Sequence, residues 1–181
     1  RVAPVALRIL LGDQPRDRAL EVGRVGVGVQ QREAHERCGL DVADAARAFE
    51  TLVPVNILGL GENRQRYALF TNDQGGIMDD LMVANRGDHL FVVVNAACKA
   101  DDIAHMTAHL SAACEVQPIT DRALIALQGP AAETALARLN ADVAGMSFMD
   151  VATVALNGAE CWVSKDRNSG FPVSAKKIRS P

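Results

Sequence analysis

Two adjacent carboxylates, Asp79 and Asp80, sit in the middle of the apolar run Gly76-Ile-Met-Asp-Asp-Leu-Met-Val-Ala84. Aspartate is depleted in strands, and a carboxylate taken from water must be paired or employed. A carboxylate at the wall of an apolar pocket can hydrogen-bond an N–H of a heterocycle or stabilise a developing cation. The alternative is that both residues cap turns or edge strands. Side chains alternate along a strand. Asp79 therefore shares a face with Ile77, Leu81 and Val83, and Asp80 shares the other with Met78, Met82 and Ala84. One carboxylate should point towards a core or pocket and the other away. Asn95, ending the run Leu90-Phe-Val-Val-Val-Asn95, offers a donor and an acceptor, or serves as a strand-end turn residue.

The elements that must position these groups form a meander. A strand over about 65–71 leads through the turn Asn72-Asp-Gln-Gly-Gly76 into a strand over 77–84, then through Asn85-Arg-Gly-Asp88 into a strand over 90–96. Before it, a helix starts at Asp41 as cap, with Val42, Ala45, Phe49, Leu52 and Val53 on one face, and Pro54 stops it. After it, Lys99–Ala113 reads as a helix with Asp101 and Asp102 at its positive end and an Ile103, Met106, Leu110 stripe. Strands over about 115–119 and 122–127, a helix opened by Gln128-Gly-Pro130, and strands over 146–156 and 159–164 joined at Asn157-Gly158 complete the order. The fold class is α+β, an antiparallel-rich sheet with helices on one face and a split β-α-β, ferredoxin-like arrangement.

Other groups are ascribed no chemistry. His105 and His109 are four apart on a helix but lack a companion ligand, and read as solvated histidines rather than a zinc site. The cysteines Cys38, Cys98, Cys114 and Cys161 form no C-x-x-C and read as free thiols. Gly23, Gly26 and Gly28 are not a nucleotide-binding loop, and Ser164 and Ser169 lack a nucleophile-elbow context. The net charge of −3 gives no argument for nucleic acid or membrane partners, and the 49% hydrophobic content supports an ordinary core. Charge is uneven. Residues 1–40 hold seven basic and five acidic residues, 41–164 hold seven and sixteen, and 165–181 hold five and one.

Residues from about 43 to 164 resemble the aminomethyltransferase, or T-protein, of the glycine cleavage system. The segments that carry the resemblance are Ala45-Ala-Arg-Ala-Phe-Glu-Thr-Leu-Val-Pro-Val, Arg66-Tyr-Ala-Leu-Phe-Thr-Asn-Asp-Gln-Gly-Gly-Ile-Met-Asp-Asp-Leu, Val93-Val-Asn-Ala-Ala, Ala123-Leu-Ile-Ala-Leu-Gln-Gly-Pro and Phe148-Met-Asp. The resemblance implies the folate-binding T-protein fold, incomplete at both ends. It implies tetrahydrofolate as cofactor and the lipoylated H-protein as partner. The implied reaction moves the one-carbon unit from aminomethyl-lipoyl H-protein to tetrahydrofolate and releases ammonia. It assigns Asp80 as the catalytic carboxylate beside the folate nitrogens, Tyr67 as an aromatic wall and Asn95 as a polar contact to the pterin. It implies a bacterial cytoplasmic or a mitochondrial-matrix protein. A folate-binding module without transferase activity, as in iron–sulfur repair or sarcosine- and dimethylglycine-oxidising relatives, is the alternative, together with a non-functional remnant.

The departures lie at the ends. Residues 1–40 show nothing like the family's Phe-Asp-Val-Ser-His-Met. After Cys161-Trp-Val-Ser164 the chain runs Lys165-Asp-Arg-Asn-Ser-Gly-Phe-Pro-Val-Ser, with no counterpart of the family's pterin-reading Glu. The expectation is an atypical segment over 1–40, a folate-binding core over 41–164 and a basic atypical tail over 165–181, the two ends arising out of frame.

Overall fold

The computed structural model describes residues 6–9, 24–30, 42–119, 122–166 and 171–176. The elements run β1 (Ala6–Ile9), β2 (Arg24–Gln30), α1 (Val42–Phe49), β3 (Gln65–Thr71), β4 (Ile77–Asn85), β5 (His89–Asn95), α2 (Lys99–Leu110), β6 (Glu115–Pro118), β7 (Arg122–Gln128), α3 (Ala132–Ala137), β8 (Val151–Leu156), β9 (Ala159–Ser164) and β10 (Phe171–Lys176). Two compact units result. One spans Val22–Thr120, and the other combines Arg1–Glu21 with Asp121–Pro181. The fold is α+β, with an antiparallel five-stranded sheet in each unit.

In the first unit the strand order is β3-β4-β5-β2-β6. Strands β3, β4 and β5 form the meander that the turn signals indicate. Asn72 closes the first turn: its Oδ1 accepts from Gln74 N at 3.0 Å and Gly76 N at 2.8 Å, while Gly75 takes φ 76°. One sheet face carries Ala68, Phe70, Leu81, Val83, Leu90, Val92 and Val94. It packs against Ala45, Ala46 and Phe49 of α1 and Met106 and Leu110 of α2. Phe70 is fully buried, its ring 5.9 Å from that of Phe49 and 5.2 Å, edge-on, from that of His105. His105 is therefore a packing residue rather than a solvated one. Its pKa is held below the ordinary value by burial and then by neighbouring His109. Among the described residues no group of three or more His, Cys, Asp or Glu is arranged to hold a metal.

Strand β2 lies inside the segment read as irregular. Its Val25-Gly-Val-Gly-Val pattern alternates with period two, and it pairs with β5 from Arg24↔Asn95 to Gln30↔His89 and with β6 on its other side. The glycines weaken the strand signal because they bring no apolar side chain. Pairing to both neighbours supplies what local propensity lacks. The cap at Asp41 and the thiol of Cys38 lie outside the described residues. Helix α1 ends at Phe49, before Pro54, and the Glu50 carboxylate then accepts from Ile57 N and Leu58 N, both at 2.7 Å.

The second unit orders its strands β1-β7-β10-β9-β8. Strand β7 pairs with β1 and β10 rather than β6, so the meander and the later strands belong to two sheets instead of one. Asn157 (φ 49°) and Gly158 (φ 81°) make the two-residue turn between β8 and β9. The strand expected over 146–156 starts at Val151. The preceding residues form a 3-10 turn, Ala141–Gly145, started by the Asn140 side chain accepting from Asp142 N, and Met149 takes φ 69°. A small core of Ala132, Leu136, Val143, Val154, Cys161 and Val163 closes beneath α3. Lys165 ties the unit by donating to Glu133 Oε2 at 2.9 Å and to the Met146 carbonyl at 2.7 Å. No helix among the described residues is long and apolar enough to cross a membrane.

Candidate functional site

The two carboxylates of β4 part as strand alternation requires. Asp79 is 8% exposed and lies on the face of fully buried Leu81 and Val83. Asp80 is exposed and lies on the opposite face, where its register partner on β3 is Leu69. The next pair on that face is Tyr67↔Met82, so Tyr67 stands one step along the sheet from Asp80. Tyr67 is 42% exposed. Across β4, Met82 pairs with Val93 and Ala84 with Phe91, and β2 then contributes Gly26 opposite Val93 and Gly28 opposite Phe91. The face bearing Asp80 thus carries Tyr67, Met82, Phe91 and Val93, with glycine at the β2 positions opposite Val93 and Phe91.

Asn95 ends β5 one pair beyond Met82↔Val93, and its side chain joins the two carboxylates. Its Nδ2 donates to Asp79 Oδ1 at 2.8 Å, to Asp80 Oδ1 at 2.9 Å and to the Asp80 carbonyl at 3.1 Å. Its backbone N–H donates to Asp79 Oδ2 at 3.2 Å. An amide nitrogen with two hydrogens is fully used by these acceptors. The amide orientation is therefore determined, and Oδ1 faces away with no donor among the described residues. Burial alone would raise the pKa of Asp79. The hydrogen bonds from Asn95 and from Asp102 outweigh it and hold the carboxyl below the ordinary value, so Asp79 is an anion near neutrality.

Behind Asp79 stands the start of α2. Cys98 occupies the N-cap position, its carbonyl accepting from Asp102 N at 2.9 Å. Partial burial first, and then the carboxylates of Asp79, Asp102 and Asp101, push its thiol up and keep it protonated. Asp102 is 2% exposed on the same helix stripe as buried Met106 and Leu110.

The structure brings Asp80 and Asn95 into direct contact and sets Tyr67 on the same sheet face. The family resemblance assigns no role to Asp79, and in the sequence Asp102 enters only as a charge at the positive end of its helix. A signal for Asp102 was present: it precedes Met106 by four residues and Leu110 by eight, so helical spacing puts a carboxylate on the apolar stripe. Chemically, the arrangement offers an oriented anionic oxygen, a fixed amide oxygen acceptor and an aromatic surface on one face of a rigid sheet.

The family described as the GCVT N-terminal domain matches residues 20–169. The mitochondrial aminomethyltransferase of Dictyostelium discoideum is 33% identical over 144 residues, covering 72% of this chain and 36% of that protein. That of Solanum tuberosum is 35% identical over 143 residues, covering 74% and 35%. The chain spans about a third of the length of these curated relatives. Among solved structures, the glycine cleavage system aminomethyltransferase T from Bartonella henselae matches with a TM-score of 0.69 at 22% identity, covering 83% of this chain and 39% of that one. Heterotetrameric sarcosine oxidase from Corynebacterium sp. U-96 matches with a TM-score of 0.57 at 16% identity, covering 95% and 75%. Both structural likenesses speak to the fold. The matched span and the identity to these relatives show that this chain belongs to the aminomethyltransferase T-protein family, whose GCVT N-terminal domain it carries.

Proposed function

We propose that this chain is the folate-binding part of an aminomethyltransferase of the glycine cleavage system. The full reaction would take the one-carbon unit from aminomethyl-lipoyl H-protein, pass it to tetrahydrofolate and release ammonia. The observation that carries this reading is the Asp80–Asn95 contact: an exposed carboxylate held by an amide whose own oxygen is left to accept. These groups suit a reduced pterin, whose ring edge carries N–H donors and whose flat face suits an aromatic wall. Tetrahydrofolate would supply the nucleophilic nitrogens that receive the one-carbon unit.

In this reading Asp80 does three things. Its carboxylate orients a ligand amine by accepting its N–H, stabilises positive charge as the carbon is transferred, and can take a proton from the amine. Asn95 holds Asp80 by its Nδ2 and accepts a ring N–H at its Oδ1. Tyr67 packs on one side of the ring system.

Residues 1–40 and 165–181, read as out of frame, remain part of the proposal. Comparing the neighbouring reading frames of the gene tests it: finding neither the Phe-Asp-Val-Ser-His-Met motif nor the pterin-reading Glu there would end it. The lack of a counterpart for that Glu favours a second reading, a folate-binding module without transfer activity. By kinship with the mitochondrial relatives the compartment is proposed as the mitochondrial matrix, or the cytoplasm of a bacterium.

Titrating tetrahydrofolate into the chain tests the shared part of both readings, and ammonia release from aminomethylated H-protein separates them. Saturable binding with ammonia release supports the transferase. Binding without release supports the module, and no binding contradicts both.

A further inference from the structure

Asp79 grips a single residue with both of its carboxylate oxygens. Oδ1 accepts from Asn95 Nδ2 at 2.8 Å, and Oδ2 accepts from the Asn95 backbone N–H at 3.2 Å. Fully buried Leu81 and Val83 share its strand face, and its register partner on β3 is fully buried Phe70. A carboxylate so enclosed has little water to turn to, and as an anion it can only accept.

This clamp decides which end of the Asn95 amide is left for a ligand. A half-turn of the amide would exchange Oδ1 and Nδ2. Oδ1 would then stand against Asp79 Oδ1, Asp80 Oδ1 and the Asp80 carbonyl, all of them acceptors, and the side-chain hydrogen bonds of Asn95 would be lost together. The contact with Asp79 is the part-buried one, whereas the contact with Asp80 is exposed and competes with water. Asp79 is therefore the stronger determinant of the amide's orientation.

We propose that Asp79 is a positioning residue that sets specificity: it locks the Asn95 amide with its nitrogen turned inward, so that Asn95 Oδ1 and the Asp80 carboxylate both meet the ligand as acceptors. Such a pair favours a ring edge that carries N–H groups and disfavours one whose nitrogens present only lone pairs. This consequence for the ligand rests on the reading of Asp80 given above, whereas the lock on the amide does not. The reduced ring of tetrahydrofolate carries hydrogens on its two pyrazine nitrogens, and in folic acid the same nitrogens have lone pairs alone. Asp79 thus selects the reduced form of the cofactor, without touching it.

The test compares the affinities of tetrahydrofolate and folic acid for the full chain, with NMR of the Asn95 side-chain amide in the ligand-free protein. The wild type should bind tetrahydrofolate at least about tenfold more tightly than folic acid. The Asp79→Asn side chain has the same shape but can donate to the Asn95 oxygen as readily as accept from its nitrogen. The preference should therefore shrink towards parity in that variant. A merely structural role would weaken both ligands alike, so an unchanged ratio in Asp79→Asn overturns the proposal, as does equal affinity for the two compounds in the wild type. In the NMR arm both Asn95 amide protons should be protected from exchange with solvent in the wild type. Freely exchanging protons overturn the lock, even where Asp79→Asn does not fold. A wild-type chain that binds neither compound ends the folate reading and the selection of ligand with it, and the amide protons then decide the lock alone.

Discussion

The Asn95 side-chain nitrogen lies 2.8 Å from Asp79 Oδ1 and 2.9 Å from Asp80 Oδ1, bridging carboxylates that point to opposite faces of one strand. Adjacent strand residues cannot normally share a partner, because their side chains diverge. Asn95 can, because it ends its strand and reaches around the backbone between them, touching the Asp80 carbonyl at 3.1 Å on the way. One side chain thereby couples the two faces of the sheet.

Removing that bridge should affect stability and binding together. Asn95→Ala leaves the nearly buried Asp79 anion short of a donor, which costs roughly 1–3 kcal/mol. Urea denaturation should register that loss. Asn95→Asp should be worse, since it gathers a third carboxylate at the same point. A variant as stable as the wild type would show that the Asn95–Asp79 contact contributes nothing.

Stability should also depend on pH through Asp102. Its folded pKa, about 7, lies above the ordinary 3.8. Between those values the folded chain binds more protons than the unfolded one, so this group's contribution is full below about 3.8, declines with rising pH and is lost past about 7. Asp79 works in the opposite direction, since its lowered pKa favours folding once it ionises and that gain is lost in acid. Comparing the denaturation midpoints of wild type and Asp102→Asn on either side of neutrality isolates the first effect. The wild type should lose stability relative to the variant as pH rises. Parallel curves would contradict the assignment.

The core around the meander should be intolerant at Phe70. This ring is fully buried between Phe49 and His105, and its deletion should cost about 3–5 kcal/mol, comparable to the whole stability of many domains. Phe70→Leu keeps most of the volume and should cost much less. Circular dichroism melts of the two variants check the difference.

The turn that carries β3 into β4 makes a smaller claim. Asn72→Ala removes the acceptor for Gln74 N and Gly76 N and should destabilise by roughly 1–2 kcal/mol. Asn72→Asp retains the acceptor and should recover most of that loss in the same melts.

Much of this was legible in the residues themselves. Asn72-Asp-Gln-Gly-Gly76 and Asn157-Gly158 marked their hairpins because glycine and asparagine tolerate the positive φ such turns need. The Asp79–Asp80 division followed from alternation. Strand β2 did not stand out, because Val25-Gly-Val-Gly-Val shows its period only to a reader who lets glycine count as a strand residue, and its pairing with β5 is non-local. The separation into two sheets was equally hidden, since whether β7 joins β6 or β10 depends on partners distant in the chain. The Asn95 bridge to both carboxylates was hidden for the same reason: it joins residues of β4 and β5 that are distant in the chain.

Calorimetric titration of tetrahydrofolate into the wild-type chain and Asp80→Ala measures whether Asp80, held by Asn95, is part of a tetrahydrofolate site. Saturable binding by the wild type is expected, with its loss in Asp80→Ala and only a small change in melting midpoint, because Asp80 is exposed. Undetectable binding by a folded wild-type chain, or equal affinity in the variant, would contradict it.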